Sequence, residues 1–318
     1  MENSSDVLTL SGLQEARTYR YIYFSLTLFI YLLIIILNVT LIVIIYLERD
    51  LHEPMYIFLC NLCINGLWGT AGFYPKILLD ILSDVHVISY SGCVAQIFVI
   101  YTFVMCEIPL LTVMSYDRYV AICRPLEFHT IMTPLMVRGL LLYAWLLPMT
   151  EALVSIILIQ RLPLCRSHID KLYCDNGFIM KLSCVPTTLN SMWGIVIVSV
   201  HVLHVLLTLY TYGHIVSVCL RSSEGRVKFM ETCVPHLVTL SSVLAATLFD
   251  HMYSRHNSKV LPLSLRNFMA VEFLVVPPLF NPIVYGLRMK LIRTRVSKLF
   301  RNTTESLRFG GRTEWHEK

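Results

Sequence analysis

The chain has 318 residues, 56% of them hydrophobic and only 15% charged, with a net charge of +5. Soluble domains carry about 25% charged residues, so a chain this poor in charge, with its apolar residues in long runs, excludes a large soluble domain. The positive charge borders the apolar runs instead of forming a patch interleaved with aromatic rings, which excludes nucleic acid as a partner.

Residues 1–20 are a polar tail with a glycosylation acceptor at Asn3 (Asn3-Ser4-Ser5) that has meaning only if this end is extracellular. No basic stretch leads into a short apolar core, so no cleavable signal peptide is expected. Residues 21–47 lack any Asp, Glu, Lys or Arg and read as a first membrane span. Asn38 is the polar group deep in it, suited to a helix-to-helix hydrogen bond. A short charged loop leads to Pro54 and a second span, 54–79, with Asn61, Asn65, Gly66, Gly69, Pro75 and Lys76. Pro75 is expected to kink this helix and Lys76 to reach the interface.

The third span, 90–123, carries Glu107 in its middle and Asp117-Arg118 at one end. At about 1.5 Å per residue, Cys93 and Arg118 lie roughly 38 Å apart, so each sits at a different water interface. Glu107 and Arg118 fall on nearly one helical face, at about 100° per residue. A charge in hydrocarbon is costly, so that face points into a bundle. A basic loop with Arg124 and Arg138 follows, then a fourth span, 139–160, with Glu151. A polar loop, 161–188, holds Cys165, Cys174 and Cys184. The fifth span, 189–220, carries His201, His204 and His214; the sixth, 229–252, has Pro235 and His236. The seventh, 262–286, has Glu272 and then Pro277, Pro278, Asn281, Pro282 and Tyr285.

Residues 287–300 alternate apolar and basic residues at helical spacing and read as an amphipathic helix on an anionic leaflet. The organisation is therefore an extracellular tail (1–20), a seven-span domain (21–286), an interfacial helix (287–300) and a cytoplasmic tail (301–318). The fold class is an all-α membrane protein, a seven-transmembrane helix bundle with a short amphipathic eighth helix. The C-terminal side of the spans holds the larger share of the 26 Lys and Arg, which places the C-terminus in the cytosol and the N-terminus outside, as in a multi-pass plasma-membrane protein. Of ten cysteines, Cys60, Cys63, Cys106, Cys123, Cys219 and Cys233 lie in spans or at their inner ends and behave as small hydrophobes. Cys93, Cys165, Cys174 and Cys184 gather on the outer side, an even set suited to disulfides, with all three pairings open.

Met114-Ser-Tyr-Asp117-Arg118-Tyr119-Val-Ala-Ile-Cys123 resembles the signature that ends the third helix of olfactory receptors, a branch of the rhodopsin-like G-protein-coupled receptors. Leu51-His-Glu-Pro54-Met55-Tyr56, Ser223-Glu-Gly-Arg226-Val-Lys228 with Thr232, Cys233 and His236, and Pro278-Leu-Phe-Asn281-Pro282-Ile-Val-Tyr285 resemble further family stretches, in order, over residues 38–300. The resemblance implies disulfides Cys93–Cys174 and Cys165–Cys184. It also implies an odorant receptor that binds a small molecule and activates a heterotrimeric G protein of the stimulatory olfactory type, raising cyclic AMP. Under it Arg118 pairs with Asp117 at rest. On activation Arg118 turns toward Tyr212, and Tyr119, Asn281, Pro282 and Tyr285 complete the switch.

The resemblance also implies a ligand site in the outer half, between the third, fifth, sixth and seventh helices. Candidate lining residues are Ile100, Tyr101, Val104 and Met105, then Val196 and Val200, then Thr247, Leu248 and His251, then Val271 and Leu274. Most are apolar, which suits a small molecule oriented by one or two polar contacts. Family members usually carry Asp where Gly66 stands, in a place that helps hold sodium in related receptors. Glu107 and Asn65 then form a weakened candidate site for Na⁺ as an allosteric ion, and no organic cofactor is expected. Phe280 replaces the usual Leu.

His201 and His204 are one turn apart and suit interhelical hydrogen bonds better than a two-ligand metal site. Glu151 and Glu272 are intramembrane acids expected to be neutral or hydrogen-bonded. A transporter would use Glu107, Glu151 and Glu272 as a path, but no internal repeat is visible. A rhodopsin-like receptor for a non-odorant ligand is the other alternative. An enzyme is not expected, since HExxH, nucleophile-elbow and phosphate-loop motifs are missing from the sequence.

Overall fold

A computed structural model describes residues 7–11, 19–220, 223–255 and 263–288. Its helices are α1 (Arg20–Leu47), α2 (Pro54–Leu82), α3 (Tyr90–Cys123), α4 (Phe128–Ile131), α5 (Pro134–Gln160), α6 (Asn176–Leu182), α7 (Thr188–Cys219), α8 (Ser223–Arg255) and α9 (Leu263–Arg288). Three short strands join them: β1 (Val7–Leu10), β2 (Val87–Ser89) and β3 (His168–Ile169). Five helices, α1, α2, α3, α5 and α7, are long and apolar enough to cross a membrane. The helices α8 and α9 contain shorter apolar stretches, His236–Leu248 and Val271–Tyr285. The amphipathic helix expected at 287–300, the tail 301–318 and Asn3 lie outside the described residues, apart from the two residues that end α9.

The helix starts follow from local chemistry. Pro54 and Pro134 open α2 and α5, where a missing N–H costs nothing. Ser89 caps α3 by accepting from the Gly92 amide at 3.1 Å, and Thr133 caps α5 by accepting from Met136 at 3.3 Å. This cap and proline start α5 five residues earlier than residue 139. The loop 161–188 is also more ordered than its polarity suggests, since it contains β3 and α6. The helix α2 continues through Pro75, and Lys76 pairs with Asp80 one turn on instead of standing alone at the interface.

The centre of the bundle is α3, packed against α2, α5, α7 and α8. Its most apolar window is 72% buried, against 11% for α7, whose outer face is left for lipid. Close approach of α2 to α3 depends on Gly69, where a Cβ would overlap the Phe103 ring. The seam between α3 and α7 is polar and regular. His201 faces the Met105 carbonyl, Thr208 donates to Thr112 Oγ1, and Thr211 donates to Ser115 Oγ. Each pair is 96 residues apart in sequence, so the two helices run side by side in parallel register.

The end of the bundle that carries the disulfides is stitched by the segment Val7–Leu10, which the sequence presents as part of a polar tail. β1 lies between β2, antiparallel, and β3, parallel. Leu8 and Leu10 are buried with Cys93, Cys174, Ile97 and Ile169. Burying each leucine contributes about 1.5–3 kcal/mol, enough to order a short strand. Cys93 is bonded to Cys174 and Cys165 to Cys184, with Cα separations of 5.4 and 5.2 Å.

Candidate switch and ligand site

At the inner end of α3, Asp117 is fully buried and accepts from Arg118 Nε at 2.9 Å, with a second bond from the guanidinium to the same oxygen. The other carboxylate oxygen, Oδ1, is buried without a hydrogen-bond partner among the described residues. Tyr212, on α7, buries its hydroxyl without a partner among the described residues and packs its ring 5.4 Å from that of His236 on α8. His236 in turn reaches the Leu111 carbonyl of α3 at 2.8 Å through Nε2. Tyr119 sits edge-on to His214, with ring centres 5.9 Å apart. Tyr285, at the end of the α9 proline run, is buried beside Thr239 of α8.

Prolines shape the middle of the bundle. Pro282 has no N–H, so the Pro278 carbonyl four residues earlier loses its helical donor. Asn38 supplies the replacement from α1, at 2.8 Å. Pro109 likewise frees the Met105 carbonyl, which His201 of α7 approaches at 3.3 Å. Glu107 lies between them. It accepts from Asn65 at 2.9 Å and from Asn281 at 2.8 Å, one amide on each carboxylate oxygen. Asn38, Asn65 and Asn281 each keep a buried side-chain oxygen without a partner among the described residues.

In the outer half, Ile100, Val104, Val271 and Leu274 belong to one apolar cluster that runs between α2, α3 and α9. Met105 is buried and Tyr101 half-buried. Val200 and Thr247 are half-buried on α7 and α8. Two candidates turn the other way. Val196 is 48% exposed and Leu248 64% exposed, on outward faces of α7 and α8. The inward row of α7 is set by His201, His204, Thr208 and Tyr212, and Val196 is out of phase with that row. The side chain of His251 lies outside the described residues.

The sequence reading also missed a component of this region. Tyr173 of the loop is buried, its ring 5.9 Å from Phe73 and 6.1 Å from Phe273. Gln96 holds the loop by accepting from the Cys174 amide at 2.9 Å while donating to the Gly72 carbonyl. The adjacent disulfide cysteine was the available signal, since it anchors Tyr173 at the top of α3.

The family model described as olfactory receptor matches residues 27–303. The chain belongs to the olfactory receptor family. It is 34% identical to olfactory receptor 52J3 of Homo sapiens, over 85% of this chain and 88% of that protein. It is 36% identical to olfactory receptor 2C3 of Homo sapiens, over 90% of each chain. Olfactory receptor 8A1 of Mus musculus is 35% identical over 94% of this chain and 98% of its own length. This olfactory receptor is therefore a G-protein-coupled receptor for odorants and not an enzyme. Its apolar helices make it a multi-pass protein of the plasma membrane.

Proposed function

We propose that this receptor binds small, mostly apolar odorants in its outer half and drives nucleotide exchange on the stimulatory olfactory G protein, raising cyclic AMP. The observation that carries this reading is the buried Asp117–Arg118 pair at the inner end of the central helix. In this reading the pair, whose Asp117 Oδ1 has no hydrogen-bond partner among the described residues, is the element that changes partners on activation. Outward movement of α8 would break the His236–Leu111 contact and free Arg118 to meet Tyr212 and the G protein. Odorant contacts in the α3, α7, α8 and α9 region shift the populations of the two states. Strand β1 and both disulfides share one end of the bundle, and disulfides persist in oxidising surroundings, which favours an extracellular N-terminus and a cytoplasmic C-terminus.

Sodium at Glu107 is part of the same proposal. One carboxylate and three carboxamide oxygens without partners among the described residues are hard oxygen ligands suited to a hard cation. Glu107 and Asn65 would hold the ion, with Asn281 and Asn38 beside them. Bound there, it would add positive charge that favours the closed bundle.

The test is cyclic AMP in cells expressing the receptor with the olfactory G protein, screened against pooled small odorants. A ligand-dependent rise that disappears in Arg118→Ala at equal surface level is the expected result. No response from well-displayed receptor across broad pools would overturn the coupling or the ligand class.

A further inference from the structure

Three described histidines are buried, His201, His204 and His236, and their neighbours call for different numbers of protons. His204 places Nδ1 2.8 Å from the Val200 carbonyl and Nε2 2.6 Å from the Tyr143 hydroxyl. A carbonyl only accepts, while a hydroxyl also donates. A neutral ring protonated on Nδ1 satisfies both. His236 has Nε2 on the Leu111 carbonyl and no partner at Nδ1 among the described residues, so one proton on Nε2 suffices.

His201 differs. Its Nδ1 lies 2.9 Å from the Ile197 carbonyl and its Nε2 3.3 Å from the Met105 carbonyl. Both neighbours only accept. Met105 lacks a helical donor because Pro109 stands four residues on, so its carbonyl needs the Nε2 proton. A neutral imidazole would turn a lone pair toward one of the two oxygens. Beyond Nε2, at 3.9 Å, is Glu151 Oε2, buried and without a hydrogen-bond partner among the described residues.

We propose that His201 is a proton-binding site in the bundle, holding an imidazolium whose counter-ion is the Glu151 carboxylate. The bound proton joins three helices, since His201 is on α7, Met105 on α3 and Glu151 on α5. Each charge alone would be strongly unfavourable at this depth, and the pair neutralises both. The other titratable groups nearby are the His204 ring, 5.9 Å away on α7, Tyr143 on α5, and Cys106 and Glu107 on α3, the last with each carboxylate oxygen already accepting from an amide, of Asn65 or Asn281. From α8, His236 packs against Tyr212, nearer the inner end of α7. Glu151, with the oxygen that faces Nε2 lacking a hydrogen-bond partner among the described residues, is therefore the counter-ion. The inference rests on side-chain geometry and stands apart from the signalling reading.

The experiment is nitrogen-15 spectroscopy of histidine-labelled, full-length receptor in lipid nanodiscs at about pH 7, where free imidazole is mostly neutral. One imidazolium signal protected from solvent exchange is expected, lost in His201→Gln and retained in His204→Gln. Glu151→Gln is expected to convert it to a ring with a single protonated nitrogen. A wild-type spectrum with no protected imidazolium overturns the proposal, even if the variants fail to fold. Infrared spectroscopy reads the partner: Glu151→Gln should remove no carboxylic-acid carbonyl band, and loss of such a band would show a neutral acid and overturn the pair.

Discussion

The Asn38 side chain donates to the Pro278 carbonyl at 2.8 Å, supplying the hydrogen bond that Pro282 cannot make within its own helix. One amide on α1 thus supports the proline-containing stretch of α9, which the proposed switch would move. The same amide also reaches the Ile34 carbonyl at 2.8 Å, which keeps it in place.

Asn38→Leu is therefore expected to lower stability by about 1–3 kcal/mol, because the Pro278 carbonyl would be left buried and unsatisfied. Thermal unfolding of the purified receptor in nanodiscs measures this. An unchanged midpoint would show that the bond contributes nothing.

Gly69→Ala is expected to destabilise by about 1–3 kcal/mol, since the added methyl overlaps the Phe103 ring. Shrinking the obstacle should restore much of the loss. The double variant Gly69→Ala with Phe103→Leu should unfold later than Gly69→Ala alone, and strict additivity would contradict the close approach.

Gly66→Asp should be tolerated. A Cβ there would stand 3.4 Å from Pro278 Cβ and 3.6 Å from Asn38 Oδ1, ordinary contact distances. It adds a second carboxylate near the one that Glu107 already supplies. The stabilising effect of NaCl over choline chloride on the unfolding midpoint is expected to be larger in Gly66→Asp than in wild type. An equal effect in the two would count against a sodium site here.

Tyr212→Phe separates resting from active roles. The hydroxyl has no partner among the described residues, so its removal should change the unfolding free energy by less than about 0.5 kcal/mol. Odorant-driven cyclic AMP should nevertheless fall severalfold, because Arg118 loses the group it turns toward. A variant that signals normally would remove Tyr212 from the switch.

Much of the buried polar network was legible because intramembrane polarity is costly and so stands out. Glu107, Asp117, Arg118, Asn38 and the proline run of α9 are conspicuous against apolar neighbours, and each has a polar partner in the fold. Lining residues were less legible. Val196 and Leu248 sit among equally apolar neighbours, so hydropathy supplies no phase, and an error of one residue turns a side chain by about 100°. Tyr173 gave no periodic signal because it lies in a loop, placed by a disulfide and by Gln96.

By itself, the sequence determined that the chain is built from long apolar helical runs, which polar residues are embedded in them, and the motifs of the olfactory receptor family. Those properties are local: length, hydropathy and spacing along one chain. The tertiary structure alone decided which partner each buried polar group finds. The Met105 carbonyl, freed by Pro109, meets His201 on another helix, and the Pro278 carbonyl, freed by Pro282, meets Asn38 across 240 residues of sequence. A backbone group released by proline must be satisfied in hydrocarbon, but the donor is chosen by how the helices pack.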